Sequence, residues 1–551
     1  MKTKTTPTLL LASLAATTAL AAAAPTPASP PAKPNIIYIM LDDMPYDMLP
    51  HSARYPFLNL PNLERLQREG VTFTNFFCIN SLCAPSRATN LTGTYSHTNG
   101  QTQNIGFLDP DWKKTPPFSV YMRDAGYTTA FIGKIHMASD PTHRGKNAIR
   151  PGFDYWVSIY GQGVYNDPLL VDNGAEKQTK GYITDIFNRY ALDWIENKRD
   201  KSKPFVLCLW EKAVHEPFEP AARHTNLYKS ETITPPFLRT DQDDLATKPK
   251  YQRVKVVDNK VVFPDRIPPK PWNPRAGQWG QLRALSAVDD SLGDILALLE
   301  KQGILDNTII MFSSDNGYFH QEHQRGDKRL AYENSIRIPM VVRYPAALTA
   351  LKPGSTIDSM CLNLDVAPTI LDIAGVTATA IAPQMQGASL KPQLEGRPAA
   401  PDWRKTFLYE YYYDNGLRAS RIPDLVGIRG ERYKFVDNDY LNSTDIGELY
   451  DMQTDPGEMK NLFQDPASAL LLAEQRKELD ALKAQYGYNP DRNWWVMKLN
   501  PNFKDTRDDL GLKPDKPAAK KGQGATTPKA GKAGKSGKKK PAPTQEQEDQ
   551  E

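Results

Sequence analysis

Cysteine is scarce in this chain: four in 551 residues, at positions 78, 83, 208 and 361. A dense disulfide framework is thereby excluded, and stability must rest on a packed apolar core. Four cysteines in an exported chain leave room for two bridges, and Cys78 and Cys83 are close enough to pair. Cys208 falls inside the apolar run 205–210 and reads as a small buried hydrophobe. Long apolar runs are lacking too. Leu9 to Leu20 is short of the ~20 residues that a membrane span needs. It lies between Lys2 and Lys4 on one side and Ala22-Ala23-Ala24 on the other. This pattern predicts an export signal over 1–24 and a Pro/Ala spacer over 25–34. No membrane span is expected elsewhere, nor, with no cysteine near the cleavage region, a lipid anchor.

An excess of one charge is also missing from the globular part. The whole chain carries +4. Residues 512–551 hold ten lysines and five acids, and Lys2 and Lys4 add two more cations. What remains is slightly acidic, so a nucleic-acid surface is not expected. The Lys/Pro/Ala/Gly-rich stretch 512–551 cannot bury a core and is expected to be disordered.

Apolar runs alternate with helical patterns. Strands are expected at 36–41, 128–132, 205–210, 308–312 and 339–343. Helices are expected at 60–69, 183–198 and 281–301, the first stopping at Gly70 in the left-handed conformation. Uninterrupted apolar strands separated by helices imply an α/β fold, with a mostly parallel central sheet sandwiched by helices. Residues 232–274, rich in Pro, Asp and Lys, read as an insertion over one end of that sheet. They contain a hairpin about Asp258-Asn259. From 399 to 511 short strands at 407–411, 426–429, 433–435 and 448–451 and a helix at 470–486 predict a smaller α+β domain with an antiparallel sheet.

The chemistry sits where strands end. The first strand runs into Asp42-Asp43, the second into Gly133-Lys134-Ile135-His136, the third into Glu211-Lys212-Ala213-Val214-His215, and the fourth into Asp315-Asn316-Gly317. Sites in open parallel sheets form outside the carboxyl ends of the strands. Any one of these segments alone reads as a turn or a core histidine; together they converge. Asp42, Asp43, Asp315 and Asn316 are hard oxygen donors, a set that suits Ca²⁺, then Mg²⁺, and argues against zinc.

One further motif, Cys83-Ala84-Pro85-Ser86-Arg87 running to Thr92-Gly93, resembles the site at which type I sulfatases convert cysteine to formylglycine. With the strand-end residues and Glu448-Leu449-Tyr450-Asp451, the chain resembles the formylglycine-dependent sulfatases of the alkaline phosphatase superfamily. The likeness runs from about residue 34 to about residue 500. It implies an alkaline-phosphatase-like catalytic domain over 35–398. It implies formylglycine (3-oxoalanine) at 83, made by a formylglycine-generating or sulfatase-maturating enzyme, which leaves no Cys78–Cys83 disulfide. It implies that the hydrate of that aldehyde, bound to the cation, attacks sulfur. Arg87 would position the hydrate, Lys134 and Lys328 would hold sulfate oxygens, and His136 would take a proton when the covalent ester collapses. His215, with Lys328 as the other candidate, would give a proton to the leaving oxygen. His323, Glu211 and Arg404 are candidate substrate contacts, with Tyr318 and His320 beside the mouth.

The function expected is an exported sulfatase, periplasmic or secreted, that cleaves O-sulfate esters on a sulfated polysaccharide or oligosaccharide. Two alternatives stand beside it. One is a phosphonate monoester or phosphodiester hydrolase of the same superfamily. The other is a sulfated-glycan-binding protein without chemistry.

Overall fold

The computed structural model describes residues 1, 33–104, 109–137, 149–235, 245–253, 255–257, 260–262, 273–376, 385–412, 422–437 and 446–488. The expected export signal and the tail 512–551 lie outside the described residues, apart from Met1.

The strand Asn35–Leu41 is buried along its whole length. Alternate side chains feed the two cores on either face of the sheet: Ile36, Tyr38 and Met40 one way, Ile37, Ile39 and Leu41 the other. This is the period-two pleat filled on both sides, which is why no polar residue interrupts the run. Thr308–Ser314 and Phe205–Trp210 flank it, both parallel to it. Thr128–Lys134 and then Tyr155–Ile159 extend the parallel centre of a ten-stranded sheet. The helices Ile183–Asp193 and Ala276–Lys301 provide crossovers. Four neighbouring strands therefore end side by side, one closing on Lys134 and the others carrying Asp42, Glu211 and Asp315 just beyond.

The outer strands run differently. Met340–Arg343 is antiparallel to Thr308–Ser314. Between them lie the short 3-10 helix Glu322–Gln324 and the four-residue α-helix Glu333–Ile336, with no long helix to lie across the sheet as a parallel crossover usually has. Leu169–Asp172 and Ala175–Gln178 are antiparallel additions at the other edge. The helix expected at 183–198 becomes a π-helix over Trp194–Lys198. Gly70 is extended, not left-handed. A Cβ there would lie 2.4 Å from the carbonyl oxygen of Val342, so close packing, not turn geometry, calls for glycine.

The second sheet orders Thr406–Tyr411, Leu425–Gly430, Tyr433–Asp437 and Glu448–Asp451, all antiparallel. The helix Ala469–Tyr486 packs against it. The hairpin Lys255–Val257/Lys260–Val262 forms in the expected place. The neighbouring turn of that insertion is anchored on the small sheet and the loop after it. Lys248 donates to the carbonyl of Glu458 at 2.5 Å and to Tyr450 at 2.8 Å. Gln252 donates to Glu448 at 2.9 Å.

Gly133 deserves a test. Its φ is +136°, and an added Cβ would sit 1.8 Å from the Trp210 carbonyl oxygen in the neighbouring strand. Gly133→Ala is expected to cost about 3 kcal/mol or more, read by thermal unfolding. Activity should fall further, because the displaced strand end carries Lys134.

Candidate active site

Cys83 is the first residue of the helix Cys83–Thr92, all of whose residues are buried. Pro85 falls in the first turn, where a missing N–H breaks no helical bond. Asn104 Oδ1 accepts from the N–H of Ala84 at 2.9 Å, and Gly93 closes the helix at φ +62°. The helix thus aims its positive end and the Cys83 side chain together at the strand ends.

Asp42, Asp43, Cys83 and His215 bring ligand atoms within 4.8 Å of one another. Cys83 Sγ lies 3.4 Å from Asp42 Oδ1 and 3.2 Å from Lys328 Nζ. Lys328 also donates to Asp43 Oδ1 at 2.5 Å. Lys134 donates to Asp42 Oδ2 and to Gln162 Oε1. Arg87 donates through Nε to Asp315 Oδ2 at 2.9 Å, lies 3.3 Å from Asp42 Oδ2, and holds the Lys134 carbonyl at 2.6 Å. Asp315 and Asn316 join through Asp43: Asp315 Oδ1 accepts from its N–H at 3.2 Å, and Asn316 Nδ2 donates to its Oδ1 at 2.6 Å. His136 is buried at the end of the Lys134 strand, with φ +59° and no partner for Nδ1 among the described residues.

Charge is concentrated here on buried side chains. Burial would raise Asp42, but Lys134, His215, Arg87 and Lys328 hold it well below the usual carboxylate range. Burial is also the largest influence on Asp43. Lys328 opposes it, Asp42 and Asp315 reinforce it, and the carboxyl is pushed up to about 7. Asp315 is raised by burial and by Asp42. Burial, with Lys134 next, drives both His136 and His215 well below the ordinary imidazole value.

The site's oxygen donors fit a hard divalent cation. Asp43 Oδ2 and Asn316 Oδ1 are buried acceptors with no hydrogen-bond partner among the described residues. Three carboxylates crowd together, with cationic side chains on Asp42 and Asp43 but an acceptor still open. Asp42, Asp43, Asp315 and Asn316 offer oxygen, a set that suits a hard cation; Cys83 Sγ and a His215 ring nitrogen stand beside Asp42 and Asp43.

The expected substrate contacts each have a protein partner. His323 is buried and stacks on Tyr332, ring centres 4.0 Å apart. Glu211 turns its carboxyl to Thr184 at 3.2 Å, fully buried and pushed up to about 8 by burial; only its carbonyl faces Arg87, at 3.5 Å. Arg404 is spent on Asp365, gripping both carboxylate oxygens, one at 2.7 Å. Of the named neighbours of the mouth, Tyr318 is half-buried between Phe218 and His320. Arg404→Ala is expected to destabilise the protein by about 3–5 kcal/mol, since Asp365 has no exposure. The rate per folded molecule should not change, as denaturation curves beside active-site titration would record.

Gln162, on Lys134, and Gln281, donating to the Asp43 carbonyl at 2.7 Å, were not singled out from the sequence. Gly161 and Gly163, both at positive φ, mark the tight turn that presents Gln162. A glycine pair just after an apolar strand was its available signal. Gln281 sits in an amphipathic helix like any other and carries none.

Comparison with known proteins places these observations. The Sulfatase family profile matches residues 34–376. The profile of the N-sulphoglucosamine sulphohydrolase C-terminal region matches 321–485. An N-acetylglucosamine-6-O-sulfatase of Bacteroides thetaiotaomicron is 34% identical over 90% of this chain and 94% of its own. The human N-acetylglucosamine-6-sulfatase is 28% identical over 69% of this chain and 67% of its own. A solved structure in complex with its substrate D-glucosamine-2-N,6-O-disulfate is 32% identical, covers 84% of this chain and 99% of its own, and superposes with a TM-score of 0.70. A phosphonate monoester hydrolase from Silicibacter pomeroyi, 21% identical over 82% of this chain and 96% of its own at a TM-score of 0.63, shares the fold.

Proposed function

Because the chain belongs to the sulfatase family and is a sulfuric ester hydrolase, we propose that it removes 6-O-sulfate from glucosamine-type residues of a sulfated glycan. The observation that carries this reading is the meeting of Cys83 with Asp42 and Lys328 at one buried point. The names of the relatives supply the sugar. In this reading Cys83 is converted to formylglycine by a formylglycine-generating or sulfatase-maturating enzyme. The protein leaves the cytoplasm by the signal at 1–24, for the periplasm or the medium.

Asp42, Asp43, Asp315 and Asn316 would hold Ca²⁺, which together with the hydrated aldehyde supplies a polarised oxygen nucleophile when both are in place. The chain's own side chains do the rest. Lys134 and Lys328 set two ammonium groups around the sulfate oxygens, fixed in advance by Asp42, Gln162 and Asp43. Preorganised cations in a dry crevice oppose charge that spreads over sulfate and leaving oxygens in the transition state. Arg87, locked on Asp315, keeps the helix start and the Lys134 strand in register. Burial, then Lys134, holds His136 well below the ordinary imidazole value, and its Nδ1 has no hydrogen-bond partner among the described residues, which suits a proton acceptor. His215 presents Nε2 to the cluster, 3.7 Å from Asp43 Oδ2; burial and then Lys134 depress it, and a bound sulfate anion would offset the cationic part. Lys328 is the poorer donor, since Asp43 holds its proton firmly. His215 therefore serves the departing sugar oxygen.

A panel of sulfated monosaccharides and phosphate esters tests the proposal. Release of sulfate from N-acetylglucosamine 6-O-sulfate should exceed that from 4-O- and 2-O-sulfated sugars. Faster hydrolysis of phosphonate or phosphate esters would instead make the chain a phosphoester hydrolase. Binding without turnover would make it a lectin.

A further inference from the structure

In the turn that carries His215 lies a lysine with no part in the chemistry above. Lys212 has no accessible surface. Its ammonium donates to the main-chain carbonyl of Glu216 at 3.1 Å and lies 4.7 Å from the centre of the Tyr165 ring. No carboxylate pairs with it at ion-pair distance among the described residues. Burying an ammonium in this way is costly. Burial and then Lys134 lower it to about 8, against the pull of Asp42 and Asp43.

The carbonyl that it holds is shared. His215 Nδ1 lies 2.8 Å from the same Glu216 oxygen. A carbonyl only accepts, so Nδ1 carries a hydrogen whether the ring is neutral or charged. Proton exchange is then confined to Nε2, which lies 3.7 Å from Asp43 Oδ2. The main chain of His215 is tied as well. Its N–H donates to the Lys212 carbonyl at 3.0 Å. Its own carbonyl accepts from the Tyr165 hydroxyl at 2.5 Å and from the Phe218 N–H at 3.1 Å. Tyr165 thus touches both ends of the device, ring to Lys212 and hydroxyl to His215.

We propose that Lys212, braced by Tyr165, is a positioning residue that fixes the ring angle and tautomer of His215 through the Glu216 carbonyl. This rests on reading His215 as the proton donor. In its protonated form the ring would give the Nε2 proton to the sugar oxygen as the bond from that oxygen to sulfur breaks and sulfur bonds to the nucleophile oxygen held at position 83; the nucleophile's own proton leaves to solvent, and Nε2 recovers one from water. A ring free to turn on its Cα–Cβ bond would present Nε2 away from the leaving oxygen in part of the population.

The test compares Lys212→Met, Lys212→Gln, Tyr165→Phe and His215→Asn on two substrates. One is N-acetylglucosamine 6-O-sulfate. The other is 4-nitrophenyl sulfate, whose leaving group departs without a proton. Lys212→Met is expected to lose about 10–100-fold in kcat on the sugar sulfate, with KM nearly unmoved, and less than about threefold on the aryl sulfate. Lys212→Gln, which keeps an N–H donor on a chain one bond shorter, should recover part of that loss. Tyr165→Phe should discriminate in the same direction. Equal losses on both substrates, or a glutamine variant as impaired as the methionine one, would overturn the proposal. If His215→Asn itself loses equally on both, the donor assignment falls instead. If it discriminates and Lys212→Met does not, only the positioning role falls. Should Lys212→Met not fold, discrimination by Tyr165→Phe together with a more active Lys212→Gln sustains the proposal, and its absence ends it.

Discussion

Cys83→Ala is expected to leave no measurable turnover of sulfate esters, a fall of at least about 10⁴-fold, while the protein stays folded. The side chain is fully buried, but its sulfur contacts only Asp42 and Lys328 among the polar groups described. Deleting it should cost about 1 kcal/mol, a small displacement of the unfolding midpoint. Circular dichroism and rate measurements on one preparation give both readouts. The chemical identity of the position is checked on the tryptic peptide 69–87, which carries Cys78 as well. An unmodified peptide takes up two alkyl groups after reduction. A peptide with an aldehyde at 83 takes up one, with an oxygen in place of sulfur and two hydrogens. Wild-type turnover in the alanine variant would remove Cys83 from the mechanism.

Exhaustive dialysis against a chelator is the second large effect. Asp42, Asp43 and Asp315 lie together, and the latter two are held above the usual carboxylate range. A divalent ion relieves that repulsion only in the folded state. At a free concentration about 100-fold over its Kd, it adds about 2.7 kcal/mol. The treated protein should therefore unfold several degrees lower, and its kcat should drop by about 10²-fold or more, as expected when several kcal/mol of charge stabilisation is withdrawn. Ca²⁺ should restore both and Mg²⁺ should do so less fully. A chelated enzyme that keeps its melting point and its rate has no such ion.

The centre of the fold was legible because its strands are buried on both faces and carry no polar interruption. Asn35–Leu41, Phe205–Trp210 and Thr308–Ser314 announce themselves, and with them the direction in which their ends point. The edge strands were not legible. Ala175–Gln178 is exposed along its length and has no apolar period to detect. Val71–Phe73 is three residues long. In the site, the strand-end positions could be read because topology alone brings them together. His323, Glu211 and Arg404 could not be placed, because their surroundings depend on residues far away in sequence. Arg404 is set by Asp365, and His323 by Tyr332. Lys328 is buried, and its partner, Asp43, lies 285 positions earlier in the chain.

The polypeptide closes late. His97, a few residues past the helix that begins at Cys83, meets the carbonyl of Tyr486 through Nε2 at 2.8 Å across a separation of 389 residues. Lys248 waits for Glu458 in the same way. Position 83 emerges from the ribosome early, long before Lys328, whose ammonium lies 3.2 Å from its sulfur in the folded chain. Any catalyst that remakes this thiol must win a race against folding. Slowing the arrival of the C-terminal segment would widen its window, and a chain that folds first would be locked out for as long as it stays native.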